Sequence, residues 1–217
     1  MGPPPANFHR NSVTVISFDK PLFRTHSIRR HPIFYGRTGA NRFDAPDGSF
    51  GVLYAGCDPF TAFIETFAVA AGTRIITTTA LKEKALSELK AARALRLIDL
   101  TQSGTLMRIG ADARLFSGSH DDAQLWSKQL HAHPCKADGL LYPSRLDPLR
   151  QSIALFEDRA PALIELDRQS WYGPGKLRSL LAEIAEHYEL QLIETQFITK
   201  RKPSARAKQA GMFTDIP

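Results

Sequence analysis

The chain has 217 residues, 43% hydrophobic and 23% charged, with a formal net charge of +6. A chain of that length buries roughly 70% of the surface its unfolded form exposes, so it needs neither a metal nor a disulfide framework to fold. No run approaches the ~18 apolar residues that cross a bilayer, and Met1 to Asn7 lack the basic start and apolar stretch of a secretory leader.

The charge is uneven. Lys200, Arg201, Lys202, Arg206 and Lys208 face a single acid, Asp215, in the last eighteen residues, so the body before this tail is nearly neutral. A basic tail of this composition reads as a solvated end, not as a nucleic-acid interface. Cys57 and Cys135 match no paired zinc spacing and point to a reducing, cytoplasmic compartment in which both stay inert.

In chain order, Val13 to Phe18 and Phe23 to His26 read as short strands around Pro21, and Arg30 to Ser49 as a long loop rich in Gly, Pro, Asn and Asp. Val52 to Ala55 reads as a buried strand. Asp58 as N-cap, Pro59 at the first position and Gly72 as a stop then predict a helix whose broad apolar face carries one carboxylate, Glu65. Arg74 to Thr79 is β-branched and predicts a strand, Leu81 to Arg93 a helix, and Leu95 to Leu100 a strand. Asp121 or Asp122 caps a second helix that runs to about His133. Gly139 to Tyr142, Ser152 to Phe156 and Ala162 to Leu166 read as strands, Lys176 to Tyr188 as an amphipathic helix, and Leu190 to Ile198 as a last strand. Without a regular βαβ rhythm or an internal repeat, this order predicts an α+β fold, a single irregular mixed-sheet domain with flanking helices.

Several enzyme classes are absent by motif: there is no Walker loop, no G-x-G-x-x-G after a strand, no H-E-x-x-H and no G-x-S-x-G. His131 and His133 lie near Cys135, but two residues apart on a helix they face different directions, so no metal site is expected. What remains is a dispersed polar set at the edges of apolar runs: Arg24, Arg42, Tyr54, Glu65 and Ser144. A charged side chain in an apolar neighbourhood is costly unless paired, so these residues pair with one another or are reserved for a charged ligand.

The order in which they occur resembles the RES domain family. Arg24, then Arg42-Phe43, then Leu53-Tyr54-Ala55, a helix with Glu65-Thr66, a helix with Trp126, then Asp138-Gly139-Leu140-Leu141-Tyr142-Pro143-Ser144-Arg145 and Ile153-Ala154-Leu155-Phe156 follow the family's pattern between residues 22 and 156. The resemblance implies an ADP-ribosyltransferase-like fold across residues 1–199, with 157–199 as a C-terminal helix and strand extension and 200–217 as the tail. It implies an enzyme, a NAD phosphorylase or NAD glycohydrolase, which cleaves the nicotinamide–ribose bond and acts as the toxin of a toxin–antitoxin pair. NAD is then a substrate, inorganic phosphate a co-substrate in phosphorolysis, and no cofactor is required.

By matching positions, Arg24, Tyr54, Glu65 and Ser144 are the implied catalytic residues, and Arg24, Arg42, Tyr54 and Trp126 the implied substrate-binding residues. Asp44 stands where members often have Asn, which would place a carboxylate beside a bound diphosphate, and Gln151-Ser152 replaces an Asn before the last core strand. The implied partner is a small helical DNA-binding antitoxin; direct nucleic-acid or membrane contact is not expected. The C-terminal helix can cover an edge, form a homodimer contact or dock such a partner.

The chemistry suits these residue types. The nicotinamide ring is cationic in NAD and departs neutral without protonation, a carboxylate stabilises the positive sugar, and arginine forks fit phosphate oxygens. Two other readings use the same residues: ADP-ribosyl transfer to a macromolecule, and a silent nucleotide- or partner-binding module.

Overall fold

The structure is a computed structural model that describes residues 2–68 and 74–194. After a short 3-10 turn at Phe8–Arg10 come β1 (Val15–Phe18), β2 (Leu22–Ser27), β3 (Val52–Gly56), α1 (Pro59–Phe67), β4 (Ile75–Thr77) and α2 (Thr78–Lys82). The middle of the chain forms β5 (Lys84–Ala91), β6 (Leu95–Asp99), α3 (Thr105–Ile109), α4 (Arg114–Ser117) and α5 (His120–Ala132). The last elements are β7 (Gly139–Pro143), β8 (Gln151–Phe156), β9 (Leu163–Ser170), α6 (Lys176–His187) and β10 (Gln191–Ile193).

Eight strands form one mixed sheet in the order β1-β6-β7-β8-β3-β2-β5-β9, antiparallel except for β6 with β7. β4 and β10 make a separate parallel pair. This is the expected α+β architecture of a mixed sheet with flanking helices. Strand alternation sends neighbouring side chains to opposite faces. Val52, Ala154 and Phe156 pack into one core with Phe43, Trp126 and Leu130, while Leu53, Ala55, Ile153 and Leu155 pack into another with Leu22 and Leu97. A third cluster joins α1 and α6 through Phe63, Trp171, Leu181 and Ile184.

The sheet is weakest between β2 and β3, which share a single registered pair, Phe23 with Gly56. Gly56 is required there by close approach: a Cβ would lie 2.7 Å from the Ala62 nitrogen and 2.9 Å from the Asp58 carbonyl oxygen. The start of α1 is thereby seated directly on the end of β3, beside the opening between the two parts of the sheet.

Two local expectations are corrected. Of Leu81 to Arg93 only Leu81 and Lys82, the end of α2, are helical: 84–91 is β5, hydrogen-bonded on one side to β2 and on the other to β9. Its Ala, Leu, Glu and Lys favour a helix in isolation, but a place between two strands that each need a partner overrides that weak preference. The cap of α5 is Ser119, whose Oγ accepts from the Asp122 N–H at 3.3 Å; Asp121 and Asp122 lie in the first turn. The Gly72 stop, the end of the last strand beyond residue 194 and the basic tail lie outside the described residues. No helix among the described residues is long and apolar enough to cross a membrane.

Candidate active site

A cavity of about 500 Å³ opens where β2 and β3 part. Its floor is a row of side chains that the register sets side by side: Tyr142 opposite Ser152, Ser152 opposite Gly56, and Gly56 opposite Phe23. One wall is a stripe of α1, Thr61, Ala62, Glu65 and Thr66, at the i, i+1, i+4 and i+5 spacing that shares a helix face. Phe63 and Ile64 on the other face are buried, which fixes the rotation of α1 and turns Glu65 to the cavity.

Glu65 is held from one side only. Ser144 Oγ donates to its Oε1 at 2.5 Å and the Arg145 N–H donates to the same oxygen at 3.2 Å. Oε2 has no hydrogen bond among the described residues and is the oxygen left for a ligand. Ser144 is itself 1% exposed, and its Oγ also accepts from the N–H groups of Leu146 and Asp147, both at 3.3 Å. Its one donor and two acceptor positions are therefore filled. Ser144 orients the carboxylate and does not line the cavity.

The turn that carries Ser144 is tied back to the helix that carries Glu65. Arg150 Nη1 donates to Asp58 Oδ1 at 2.9 Å, its Nε donates to Asp147 Oδ2 at 3.1 Å, and its guanidinium lies 4.2 Å from the Phe60 ring centre. Asp58 is the N-cap of α1, accepting from the Thr61 N–H at 2.9 Å. The Tyr188 hydroxyl, at the end of α6, donates to Asp147 Oδ2 at 2.9 Å. The C-terminal helix thus supports the site.

The same cavity is lined by arginines that no carboxylate pairs among the described residues. Arg24 donates Nη1 to the Phe34 carbonyl at 2.9 Å, and Arg42 donates Nη1 to the Gly118 carbonyl at 2.9 Å. Neither pairs with a carboxylate among the described residues, so Arg24 does not form a structural pair with Glu65. Burial pulls the Arg24 guanidinium down to about 10, which leaves it charged at neutral pH. Arg42 is lowered by burial and by the nearby charge of Arg145. The exposed Arg145 side chain has no hydrogen bond among the described residues. Three cations against one carboxylate make this a site for a multiply charged anion.

Tyr54 lines the cavity, but its hydroxyl is committed: it donates to Asp44 Oδ1 at 2.9 Å and accepts from the Phe43 N–H at 2.9 Å. Burial raises the Tyr54 phenol well above its usual range, with Tyr142 and Asp44 adding to the shift. Its ring is therefore what a ligand meets. Asp44 is fully buried; its other oxygen accepts from the Asn41 N–H at 3.1 Å and from Asn41 Nδ2 at 3.2 Å. The carboxylate expected beside a diphosphate instead builds the loop and holds Tyr54.

The cavity thus brings together Arg24, Arg42, Tyr54 and Glu65, with Ser144 behind Glu65. Trp126 is corrected: it is 0% exposed in the core, edge-on to Phe8, and its Nε1 donates to the Gly2 carbonyl at 3.1 Å. It anchors the N-terminal segment and is absent from the cavity lining. Arg145 and Tyr142 are two of the lining residues that the sequence reading did not assign to the site. The signal for Tyr142 was alternation along β7, which puts it on the face of Leu140 and opposite Ser152. His131 stacks on Phe50 and its Nε2 lies 2.9 Å from Asp158, while His133 Nε2 lies 3.1 Å from the Asn11 carbonyl. Burial pushes the Cys57 thiol up to about 12, followed by the charge of Asp58.

The model of the RES domain family matches residues 21–191. This chain belongs to the RES domain family. The match runs past Phe156 to include α6, in keeping with the contact that Tyr188 makes to the Ser144 turn. "Probable toxin y4kH" of Sinorhizobium fredii is 32% identical over 114 residues, spanning 52% of this chain and 86% of that protein. The toxin–antitoxin complex MbcT–MbcA of M. tuberculosis contains a chain of the same fold, with a TM-score of 0.60 at 15% identity, covering 79% of this RES domain protein and 92% of that chain.

Proposed function

We propose that this RES domain protein is a toxin that degrades NAD by cleaving the bond between nicotinamide and ribose. The observation that carries the reading is the divided site: one carboxylate held by Oε1, its Oε2 without a hydrogen bond among the described residues, in one cavity with arginines that no described carboxylate pairs. In cleavage the electron pair of the C1′–N bond leaves with nicotinamide and neutralises its ring, and positive charge spreads over C1′ and the ring oxygen of the ribose. Glu65 Oε2 accepts a hydrogen bond from a ribose hydroxyl and stabilises that charge, as carboxylates do in glycoside cleavage. Arg24 and Arg42 hold diphosphate oxygens, and the Tyr54 ring bounds the nicotinamide end. Water attacking C1′ loses a proton to solvent and gives ADP-ribose; inorganic phosphate attacking through an oxygen gives the 1″-phosphate.

Membership of the family, the toxin named among its relatives and the toxin–antitoxin complex with the same fold support the reading of one half of such a pair, restrained by an antitoxin. The test is NAD loss by purified protein, with and without phosphate, with products resolved by mass, beside growth and cellular NAD on expression without a partner. Release of nicotinamide with ADP-ribose or its 1″-phosphate is expected, with growth arrest. Label transferred from NAD to a macromolecule would instead make it an ADP-ribosyltransferase, and bound but intact NAD a silent module.

A further inference from the structure

A second cavity, of about 600 Å³, adjoins the first and shares Phe116, Pro143 and Arg145 with it. We infer that it receives the adenosine half of a dinucleotide whose diphosphate lies at Arg145, an inference that rests on the reading of NAD as substrate. Three observations commit the cavity to this occupant. First, its lining combines apolar surface from Leu106, Phe116 and Pro148 with polar groups at Gln102 and Ser103, whose exposed side chains make no hydrogen bond among the described residues. Apolar faces with a few unfilled polar groups suit a purine and a ribose.

Second, Met107 on that lining is 87% exposed, a large polarisable side chain with little to pack on in the free protein, and a thioether is well suited to the face of an aromatic ring. Third, the joint is charged in the right sense. Arg145 and Arg42 line the first cavity together, the charge of Arg145 lowers the Arg42 guanidinium, and no carboxylate lines the second cavity among the described residues; Glu65 lines only the first, with its Oε1 turned to Ser144 and the Arg145 backbone. Two close cations are stabilised by an anion that bridges them, and in a dinucleotide that anion lies between its two halves. Ribose at Glu65, diphosphate at Arg24 and Arg42 with Arg145 added at the joint, and adenosine in the second cavity is the order of groups along the ligand itself.

The test fills the second cavity without touching the first. Ala113 and Ser117 are exposed and line only the second, so Ala113→Trp and Ser117→Trp occupy it from two positions, with folding checked by thermal melts. Binding of ADP and of inorganic pyrophosphate is measured by calorimetry, and turnover of NAD is compared with that of nicotinamide mononucleotide, which lacks the adenylyl half. We expect ADP to bind wild type at least about tenfold more tightly than pyrophosphate, and both variants to lose about that factor for ADP alone. KM for NAD should rise by a similar factor, with nicotinamide mononucleotide unaffected. Equal binding of ADP by wild type and both folded variants overturns the assignment, as does loss of antitoxin binding with ADP binding intact, which would make the cavity a partner groove. If wild type leaves NAD intact while ADP binding still depends on the second cavity, the adenosine site stands and the cleavage reaction is what fails.

Discussion

Two sets of residues at the cavity differ in how their polar groups are satisfied. On the α1 side Glu65, Ser144, Asp58, Arg150 and Asp147 form a connected set of hydrogen bonds and ion pairs, with Glu65 Oε2 alone left open among the described residues. Arg24 and Arg42, by contrast, each have one backbone carbonyl as partner, and the side chain of Arg145, whose backbone belongs to the Glu65 set, has none among the described residues. A group that acts in the transition state gains from being held still beforehand, since reorganisation then costs little at the moment of reaction. A group that binds an anion gains from staying unneutralised, since an internal carboxylate would compete with the ligand. Under the proposed cleavage of NAD, the difference assigns rate to the Glu65 set and affinity to the arginines.

The strongest way to break that comparison is Glu65→Gln. Replacing the carboxylate by an amide removes the charge that stabilises the cationic sugar, so kcat for NAD loss should fall by on the order of 10²–10³-fold while ADP binding persists. Next is Ser144→Ala, which takes one of two donors from Glu65 Oε1 and an acceptor from the Leu146 and Asp147 N–H groups. It should lower kcat about tenfold with little change in KM and cost about 1–2 kcal/mol of stability by leaving buried groups unpaired. A rise in KM alone would assign Ser144 to the ligand instead of to Glu65.

Arg42→Met tests the arginines: KM for NAD should rise about tenfold with kcat nearly kept, because a phosphate contact present in both ground and transition states is lost. An equal fall in kcat and kcat/KM would contradict the division. The smallest expected effect is a pH dependence behind Arg24. His26, two residues along β2, is 6% exposed, with Nε2 2.8 Å from Ser87 Oγ, which donates to Glu165 Oε1 at 2.7 Å. Burial lowers the His26 imidazole below its ordinary 6.5, the charges of Arg168 and Arg24 acting in the same sense against the Ser27 carbonyl. The unfolded chain then takes up the proton more readily than the folded one. Stability from this group is present above the unfolded value and lost as pH falls through the lower folded one. Melting temperature should drop modestly between about pH 7.5 and about pH 5.5, and His26→Gln should flatten part of that slope.

Much of the architecture was legible where local chemistry and burial agreed. Asp58-Pro59 announced the start of α1, continuous apolar runs announced β3, β7 and β8, and an isolated glutamate on an apolar helix announced Glu65. β5 was not legible, because Lys84 to Ala91 carries a helix former's composition and becomes a strand only through two neighbours distant in sequence. Arg145 was hidden for a related reason: its backbone serves the turn while its side chain serves the cavity, and sequence shows one residue for both roles. Trp126 entered the site only through the resemblance; a large aromatic on a helix more often fills a core, and the N-terminal segment that covers it makes it one here.

The sequence by itself determined the mixed α+β class, the membership of a family through an ordered set of short motifs, and the residue types of the site: arginines, an aromatic hydroxyl, a carboxylate and a serine. Those depend on short-range patterns and on which side chains are chemically able to meet an anion and a cationic sugar. Only the tertiary structure decided that Ser144 points at Glu65, that Asp44 turns inward to Tyr54, that Arg145 joins two cavities and that Tyr188 reaches back to the Ser144 turn. Each of the hydrogen bonds depends on the direction of a donor or acceptor across a contact between distant segments, and direction is set by packing and register, which no local stretch of sequence contains.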